Sequence, residues 1–446
     1  MLDQSFSAEN FRKIYDVENR KGTNLCADYS ELAKVKDLTA DIKSKCVEIK
    51  NVDRKDENKK EKAKEELLEL KRKKENELTS ILEAISNDVT KGKLDFVIKK
   101  GCDVRGKPTY FLDNKLSNFF ISKQIQSNLK KLFNVKQSSR NILVSQLIAS
   151  IDDHLPKYVI KTDVKGFYEN VSQELLIKKI DNNRLLSFIS KRIIKDMIKQ
   201  YNALSGTSSG LPRGIGISAY LAELFMKDFD SRVKDYKDVI FYGRYIDDIV
   251  MVLSAEEDGK SKEIIEFLRK EARELGLELS DDGIKTKDFY LNINEGRTDL
   301  DLEYLGYKFS YDSNKKFTVG LSSKKIDKYK KRIEASFTHY IKAKNKRKAR
   351  YDLIRRAEFL MGNTKLFNNK GSVFVGIYYS NRFLTNLDVL RELDKYFSLY
   401  RDKLRSSSFR KSLKNYKFVD GFNKKVFIQY NTALLERITA IWKYND

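Results

Sequence analysis

Apolar side chains recur at helical spacing through the first part of the chain. The leucines and isoleucines of residues 78–85 repeat every three or four positions, which is the period of an α-helix with one buried face. Residues 51–66 are almost wholly charged, and this excludes a continuous coiled-coil seam. The pattern predicts a charged helical hairpin or appendage within residues 1–96, either a docking arm or a solubilising one.

Strand-like patterns appear further along the chain. Residues 96–98 and 109–111 flank a glycine-containing turn, as in a small β-hairpin. Helical spacing returns at residues 125–132 and 142–151, and strands and helices then alternate over residues 158–310. The pattern predicts a chain of mixed helices and strands.

The last quarter of the chain is predicted to be helical and basic. Ser322 or Ser323 can cap a helix whose apolar face runs from Ile326 to Ile341. A second helix carries apolar residues over 387–397, and lysines and arginines occupy the opposite faces of both helices.

Most of the net charge of +24 comes from this last quarter. Residues 320–446 contain 30 Lys and Arg against 11 Asp and Glu, whereas the rest of the chain contains 58 against 53. A concentrated positive charge favours a polyanionic partner, above all nucleic acid. Anionic lipid is the weaker alternative, because no basic amphipathic helix has an aromatic or leucine-rich membrane face.

Several classes of protein are excluded by composition. The scattered cysteines Cys26, Cys46 and Cys102 and the isolated His154 and His339 do not suit a disulfide scaffold, a zinc module or Ser-His-Asp catalysis. No run approaches the roughly 20 apolar residues of a membrane span, and the first residues lack a signal-peptide pattern. We expect a cytoplasmic protein that does not bind membranes.

Three aspartates are the candidate catalytic residues. Residues 241–253 form two strand-like runs separated by Asp247 and Asp248, which predicts a β-hairpin with two carboxylates at its tip. Solvated turn residues are the alternative interpretation. Asp163 ends another short strand, and if the two elements are neighbours, Asp163 meets Asp247 at one edge of a sheet. Such oxygen ligands suit Mg²⁺, and two ions about 3.5–4 Å apart would promote phosphoryl transfer from a nucleotide to a hydroxyl.

Five segments resemble, in order, the sequence motifs of reverse transcriptases. They are residues 163–168 (motif A), 210–218 (motif B), 245–248 (the YxDD box), 275–286 (motif D) and 303–307 (motif E, the primer grip). The resemblance implies an α+β, right-hand polymerase fold with an antiparallel palm sheet and an RNA-directed DNA polymerase activity that uses dNTPs. The implied domains are a helical N-terminal extension (1–96), fingers (97–157), palm (158–310) and a basic helical thumb with a C-terminal region (311–446).

The resemblance also implies residue roles at the acidic edge. Asp163 and Asp247 would bind two Mg²⁺ ions, for which Mn²⁺ is an alternative, with the Val164 carbonyl assisting and Asp248 beside them. Lys285 would act as a general acid toward the leaving pyrophosphate. A surface lysine in a lysine-rich chain is the alternative.

Three further residues would contact the nucleotide or the template. Tyr168 falls at the steric gate that excludes a 2′-hydroxyl, and an ordinary core aromatic is the alternative. Arg140 falls where the fingers supply a triphosphate-binding cation, although other basic residues in 97–140 could serve. Arg213 departs from the family, which mostly has Gln there, and its planar fork could grip a phosphate or stack on a base.

The chain also resembles the bacterial defence-associated "unknown-group" reverse transcriptases. It shows no sign of an RNase H cluster or a nuclease Cys/His set, and residues 3–7 and 18–22 resemble the type-three system, which pairs two reverse transcriptases. This implies antiphage defence, a noncoding RNA as template, a DNA product, and a second reverse transcriptase or another copy of the chain as partner. Synthesis would copy an RNA template or proceed in a template-independent mode, and it would start from a 3′-hydroxyl or a protein hydroxyl.

Two alternatives remain for the function. One is a retron or group II intron type of reverse transcriptase. The other, from a different class, is a catalytically silent nucleic-acid-binding subunit, which the intact acidic trio disfavours.

Overall fold

The computed structural model describes residues 2–51, 56–93, 96–104, 106–255, 257–283, 285–368 and 371–442. The chain forms two compact units that interleave in sequence. The first comprises Met1–Gln137, Lys165–Ser231 and Glu271–Glu278, and the second Ser138–Val164, Arg232–Lys270 and Leu279–Asp446. These units do not coincide with the four predicted domains, whose boundaries stay predictions.

The described residues form helices and strands throughout the chain. The α-helices are α1 (Ala8–Lys21), α2 (Leu25–Asp28), α3 (Ala33–Asn51), α4 (Glu57–Thr90), α5 (Leu116–Phe133), α6 (Arg140–Ile151), α7 (Phe167–Asn170), α8 (Gln173–Asn182), α9 (Phe188–Ser205), α10 (Gly216–Lys234), α11 (Ser261–Glu274), α12 (Ser323–Lys342), α13 (Lys346–Met361), α14 (Asp388–Asp402), α15 (Ser407–Leu413), α16 (Phe418–Asn423) and α17 (Thr432–Thr439). The strands are β1 (Ile98–Lys100), β2 (Tyr110–Leu112), β3 (Lys157–Asp163), β4 (Val239–Tyr245), β5 (Asp248–Ser254), β6 (Lys287–Leu291), β7 (Leu302–Tyr304), β8 (Tyr307–Tyr311), β9 (Phe317–Leu321), β10 (Asn363–Asn368) and β11 (Gly371–Gly376).

The first unit is mainly helical and contains the predicted helical hairpin. Helices α3 and α4 pack along each other, and the ion pairs Lys34–Glu77 at 3.6 Å and Lys45–Glu66 at 2.5 Å show that they run antiparallel. Such exposed pairs contribute little to stability. The apolar stripe in the second half of α4, with Leu82 1% exposed, supplies the burial.

The second unit contains the sheet that ends in the aspartates. This sheet has the strand order β4-β5-β3-β6 with antiparallel neighbours throughout. A second antiparallel sheet has the order β7-β8-β9, and β10 pairs with β11. One hydrophobic cluster joins α6 and the central strands to α12 and α14, through residues such as Leu147, Val250, Phe337 and Phe397. The α+β fold class is confirmed.

Two details differ from the sequence-based expectation. The β10–β11 hairpin lies in the quarter of the chain predicted to be helical. Its two strands pair with each other, and residues that alternate over a short run are typical of strands even between helices. Ile142 and Ile341 were expected on apolar faces, yet they are 56% and 64% exposed. Leu143 is buried on α6 instead, whereas on α12 Ile333 and Phe337 are buried as the pattern predicts.

None of the helices within the described ranges combines the length and the apolar character needed to cross a membrane.

Candidate active site

The acidic edge lies where β3 ends and the β4–β5 hairpin turns. Asp163, the last residue of β3, pairs in register with Asp248, the first residue of β5. The Val164 amide donates a hydrogen bond of 3.0 Å to the Asp247 carbonyl. Asp248 therefore lies directly opposite Asp163, and Asp247 occupies the turn beside them.

The turn that carries Asp247 is strained. Tyr245 pairs with Asp248, which leaves Ile246 and Asp247 as the two central residues. Ile246 has a φ of 62°, and a positive φ at the first central position is typical of a type II′ turn, where Gly is preferred. A β-branched residue in this region is held there by its surroundings. The guanidinium of Arg244 donates to the Ile246 carbonyl at 2.9 Å and stabilises the turn.

Two lysines balance part of the negative charge. Lys285 Nζ donates to Asp163 Oδ2 at 3.0 Å. Lys161 Nζ lies 3.9 Å from Asp248 Oδ1. The acidic edge thus consists of three carboxylates and two ammonium groups within the second unit.

The loop before β6 places Lys285 at the acidic edge. Its backbone amide donates to Asp282 Oδ1 at 2.6 Å. The hydroxyl oxygens of Thr286 and Thr162 lie 2.9 Å apart, which fastens the loop to β3. These contacts hold the Lys285 amide and fasten the residue after it to β3.

Crowding at the acidic edge shifts two pKa values. Burial raises the pKa of Asp248 above its ordinary value, and the charges of Asp247 and Asp163 add to this while Lys161 opposes it. The hydrogen bond to Asp163 raises the pKa of Lys285, which is therefore a cation at neutral pH. The acidic edge therefore stabilises positively charged groups that lie against it.

The carboxylate oxygens of the acidic edge are of the ligand type that divalent cations such as Mg²⁺ prefer. Asp163 Oδ1 is buried and has no hydrogen-bond partner among the described residues. Such a buried oxygen is costly to leave unpaired, and a bound cation would satisfy it. No group of three or more His, Cys, Asp and Glu side chains arranged to hold a metal ion is present in the described part of the chain.

Tyr168 and Arg213 are in contact within the first unit. The Arg213 guanidinium forms a bidentate pair with Glu169, at 2.6 Å to Oε1 and 3.0 Å to Oε2, the geometry that arginine prefers with carboxylates. Its central carbon lies 5.1 Å from the centre of the Tyr168 ring. Burial alone would raise the pKa of Glu169, but the hydrogen bonds from Arg213 outweigh it and hold that pKa below its usual value. Glu169 therefore holds Arg213 beside Tyr168.

A glycine allows the motif B loop to approach α7. Gly210 has a φ of 87°, and a Cβ there would lie 2.7 Å from the Glu169 carbonyl oxygen and 2.8 Å from that of Tyr168. The next amide, of Leu211, donates to the Tyr168 carbonyl at 2.7 Å. Only Gly fits this approach, and the loop is thereby fixed against the Tyr168 backbone.

Arg140 lies against the β7–β8 hairpin in the second unit. Its Nε donates to the Leu305 carbonyl at 2.8 Å, and its guanidinium carbon lies 4.9 Å from the centre of the Tyr307 ring. The role of Arg140 toward a triphosphate stays a prediction, as do the other residue roles.

Sequence reasoning missed several residues of these sites. Lys161 lies two residues before Asp163 on β3, and the period of a strand places both on one face, so this lysine could have been found. Glu169 and Arg213 are 44 residues apart, and no local pattern connects them. The strain at Ile246 also has no sequence signal, since Ile is a common strand residue.

Residues 112–309 match the family described as reverse transcriptase (RNA-dependent DNA polymerase). The matched range contains the acidic edge, Tyr168 and Arg213. Together with the mixed helices and antiparallel sheets, the match supports the reverse transcriptase family for this region, with the right-hand polymerase fold class. No curated protein shows significant sequence similarity to the chain.

Solved telomerase structures are similar to this chain at low identity. Apo telomerase from Candida tropicalis, truncated from its C-terminal domain, is 13% identical over 55% of this chain and 60% of that chain, with a TM-score of 0.35. Telomerase from Candida albicans in complex with a TWJ fragment of telomeric RNA is 13% identical over 78% and 66%, with a TM-score of 0.35. The chain thus spans less than two thirds of the length of either structure.

Proposed function

We propose that the protein is an RNA-directed DNA polymerase that adds dNTPs to a 3′-hydroxyl or to a protein hydroxyl. The observation that carries this proposal is the pairing of Asp163 with Asp248, with Asp247 in the adjoining turn. The order of the five motifs and the family match over residues 112–309 support it.

The acidic edge would hold the metal ions of the reaction. Asp163, Asp247 and Asp248 would bind Mg²⁺ or Mn²⁺ through carboxylate oxygens, with the Val164 carbonyl assisting. Such ions, when bound, lower the pKa of the attacking hydroxyl and neutralise charge on the pyrophosphate leaving group. The chain gathers these carboxylates on neighbouring strands before the ions bind, which avoids reorganisation during the reaction.

The nucleotide sugar would be selected by Tyr168. The motif assigns this ring to the position under the sugar, where it would clash with a 2′-hydroxyl. Arg213 contacts the ring and is itself held by Glu169. We therefore assign Arg213 and Glu169 as positioning residues for Tyr168.

DNA synthesis on co-purified RNA tests the proposed activity. Purified protein, with the RNA that accompanies it, is incubated with Mg²⁺ and labelled dNTPs, and the products are separated on denaturing gels before and after proteolysis. RNase treatment beforehand should remove the product if RNA is the template. A product that migrates with protein until proteolysis would identify a protein hydroxyl as the primer. Synthesis that persists after RNase treatment would contradict RNA-directed synthesis.

We propose that this activity serves bacterial antiphage defence in the cytoplasm. The resemblance to the unknown-group reverse transcriptases supports this role. The same resemblance supports a noncoding RNA and a second reverse transcriptase as partners. Phage plating on cells that carry the wild-type system or its Asp247→Asn variant is the measurement. Equal plating on both would contradict the role of polymerisation in defence.

Lys285 is expected to accelerate nucleotide addition. The Lys285→Met variant loses the cation that bonds to Asp163 and the proposed proton donor for the leaving pyrophosphate. We expect single-nucleotide addition to slow about 10²-fold, measured by rapid quench. Lys287→Met is the matched control, since Lys287 lies two residues further on and pairs with Asp301 at 3.0 Å. Equal rates in wild type and Lys285→Met would remove Lys285 from the chemistry.

The basic last quarter is proposed to hold the template–primer duplex. Four exposed basic side chains near the junction of α12 and α13 have no side-chain ion pair in the described structure: Lys342, Lys344, Arg347 and Lys348. Replacing all four by Gln should weaken duplex binding and reduce the slope of log K against log salt by about 3. Fluorescence anisotropy between 50 and about 200 mM salt measures this.

The control for this experiment changes the same number of charges elsewhere. The matched quadruple variant replaces four exposed lysines of α4 by Gln: Lys59, Lys62, Lys64 and Lys71. It should leave the salt slope nearly unchanged. If both quadruple variants reduce the slope equally, phosphate contacts are not concentrated in the last quarter.

A further inference from the structure

A small sheet in the second unit presents aromatic rings on one face. Residues 426–428 run parallel to β10 and extend the β10–β11 hairpin by a third, short segment. Lys365 lies opposite Phe374 in the hairpin, and Phe427 lies opposite Asn363 across the third segment. Asn363 and Lys365 are two residues apart on β10, so their side chains point to the same face. This face therefore carries Lys365 together with the rings of Phe374 and Phe427.

The two rings belong to a continuous row of aromatic side chains. The centre of the Phe374 ring lies 6.0 Å from that of Phe427 and 5.0 Å from that of Tyr379. The Tyr379 ring lies 5.3 Å from that of Tyr378. These four residues form the aromatic row. Phe374 and Phe427 are 47% and 42% exposed, and a contiguous group of exposed apolar side chains is typical of a binding surface.

The charged groups over the aromatic row are positive. Lys365 Nζ lies 5.8 Å from the centre of the Phe374 ring, and Lys425 Nζ lies 4.5 Å from that of Tyr378. Lys425 is exposed and has no carboxylate in ion-pair contact within the described ranges. Positive charge beside flat apolar rings suits a ligand that combines flat rings with negative charge.

A buried amide holds together the segments that carry the rings. Asn363 is 2% exposed, and its Nδ2 donates to the Val426 carbonyl at 3.2 Å. Its Oδ1 accepts hydrogen bonds from the amides of Tyr378 and Tyr379, at 2.9 and 3.4 Å. One side chain thereby joins β10 to both of the other segments. The backbone that carries the rings is fixed before a ligand binds, which lowers the entropy cost of binding.

We propose that this face binds an unpaired segment of nucleic acid, either RNA or DNA, whose bases stack on the aromatic row and whose phosphates lie near Lys365 and Lys425. An unpaired strand alternates flat rings and negative charges at every nucleotide, and stacking on aromatic side chains accepts any base. A base-paired duplex does not fit, because its bases are already stacked on one another. The face shares no residue with the acidic edge or with the four cations proposed to hold the duplex, and its binding requires no polymerisation.

Binding of single strands to the full chain tests the proposal. Fluorescence anisotropy is measured in EDTA at about 0.1 M salt. The two labelled probes are an oligouridine RNA and an oligothymidine DNA, each of about 12 nucleotides. Phe374→Leu keeps an apolar side chain but removes the ring, so it should weaken binding of at least one probe about tenfold. A DNA–RNA duplex of the same length should bind wild type and variant equally.

Matched variants separate stacking from loss of folding. Val373→Ala changes the neighbouring side chain, which is 56% exposed on the opposite face of β11, and should leave the affinity for both single strands unchanged. Phe427→Leu should weaken binding in the same direction as Phe374→Leu. All of these variants should melt at the wild-type temperature. Asp247→Asn should bind single strands like wild type in EDTA, so a failure of the proposed polymerase would not affect this measurement.

A tryptophan in the aromatic row reports contact with bases directly. The chain contains a single tryptophan, Trp442, and it is buried. Phe374→Trp keeps an aromatic ring at the position, so it should retain affinity for the single strands. Its additional fluorescence should be quenched as a strand binds, because a base then lies against the indole. The wild type should show no such quenching.

Each outcome decides the proposal. A loss in Phe374→Leu with the RNA probe alone assigns the face to RNA, and a loss with the DNA probe alone assigns it to DNA. A loss with both means that either strand is accepted. Unchanged affinity of Phe374→Leu for both strands, or the absence of quenching in Phe374→Trp, would overturn the proposal. An equal loss with the duplex would also overturn it, because stacking of unpaired bases would then not be the cause.

Discussion

Asp247→Asn is expected to abolish nucleotide addition, with a loss of about three orders of magnitude or more, equivalent to about 4 kcal/mol of transition-state stabilisation. The amide preserves the size of the side chain but removes a negative charge at the centre of the acidic edge. Neutralising that charge weakens metal binding, whereas Asn at a turn position is readily accommodated. The measurement is incorporation of labelled dNTPs on co-purified RNA with Mg²⁺.

The control for Asp247→Asn is an identical change at an exposed aspartate. Asp235 is exposed and outside the acidic edge, so Asp235→Asn should keep wild-type activity. Both variants should melt at similar temperatures and retain RNA equally. Equal incorporation by wild type and Asp247→Asn would contradict the polymerase proposal. If wild type and Asp247→Asn both retain RNA but neither synthesises DNA, the result would favour the silent nucleic-acid-binding subunit.

The acidic edge could be predicted because its main elements are local. Alternating apolar residues on both sides of Asp247 and Asp248 predict a hairpin, and the structure forms β4 and β5 there. The prediction that Asp163 lies beside them depends on an assumption about which strands pair. The register then placed Asp248, not Asp247, opposite Asp163. A shift of one residue decides which carboxylate faces which, and the local pattern does not determine it.

The surroundings of the other candidate residues could not be predicted. The sequence predicts a phosphate grip or a base-stacking role for Arg213, yet its guanidinium is held by Glu169 from a distant part of the chain. The place of Arg140 in the sequence predicts a contact with a triphosphate, whereas its contacts in the structure are with Leu305, Tyr307 and Ser380. Such long-range contacts arise from tertiary packing, and periodicity carries no information about them.

The basic residues and the three aspartates lie in different parts of the chain. The proposed activity would require this, because nucleic acid needs a positive surface and metal ions need a negative one. The last quarter of the chain carries most of the net charge of +24. At the acidic edge, Lys161 and Lys285 pair with the carboxylates, and the Arg244 guanidinium is bound to the neighbouring Ile246 carbonyl. An excess of cations there would repel metal ions. Binding of a polyanion and binding of a cation can therefore be altered separately, which is why the basic quadruple variant and Asp247→Asn test different steps.

Tyr168→Ala is expected to relax sugar selection by about two orders of magnitude, equivalent to about 3 kcal/mol of discrimination. The ring is proposed to exclude a 2′-hydroxyl by occupying its space, and Ala removes that obstacle without adding a charge. The ratio of kcat/KM for a dNTP to that for the matching rNTP should fall mainly because the rNTP is used better. Single-nucleotide addition with each substrate on one primer measures this ratio.

Two variants determine whether the ring acts as a gate. Tyr168→Phe keeps the ring and should keep the wild-type preference, because exclusion depends on shape and not on the hydroxyl. Arg213→Gln breaks the bidentate pair with Glu169 and removes the cation from the ring, so it should lower the dNTP preference by a smaller factor, about tenfold. Glu169→Gln should act in the same direction, since it frees Arg213. Unchanged selection in Tyr168→Ala with full activity would assign Tyr168 to packing, and a loss in Tyr168→Phe equal to that in Tyr168→Ala would contradict a steric origin.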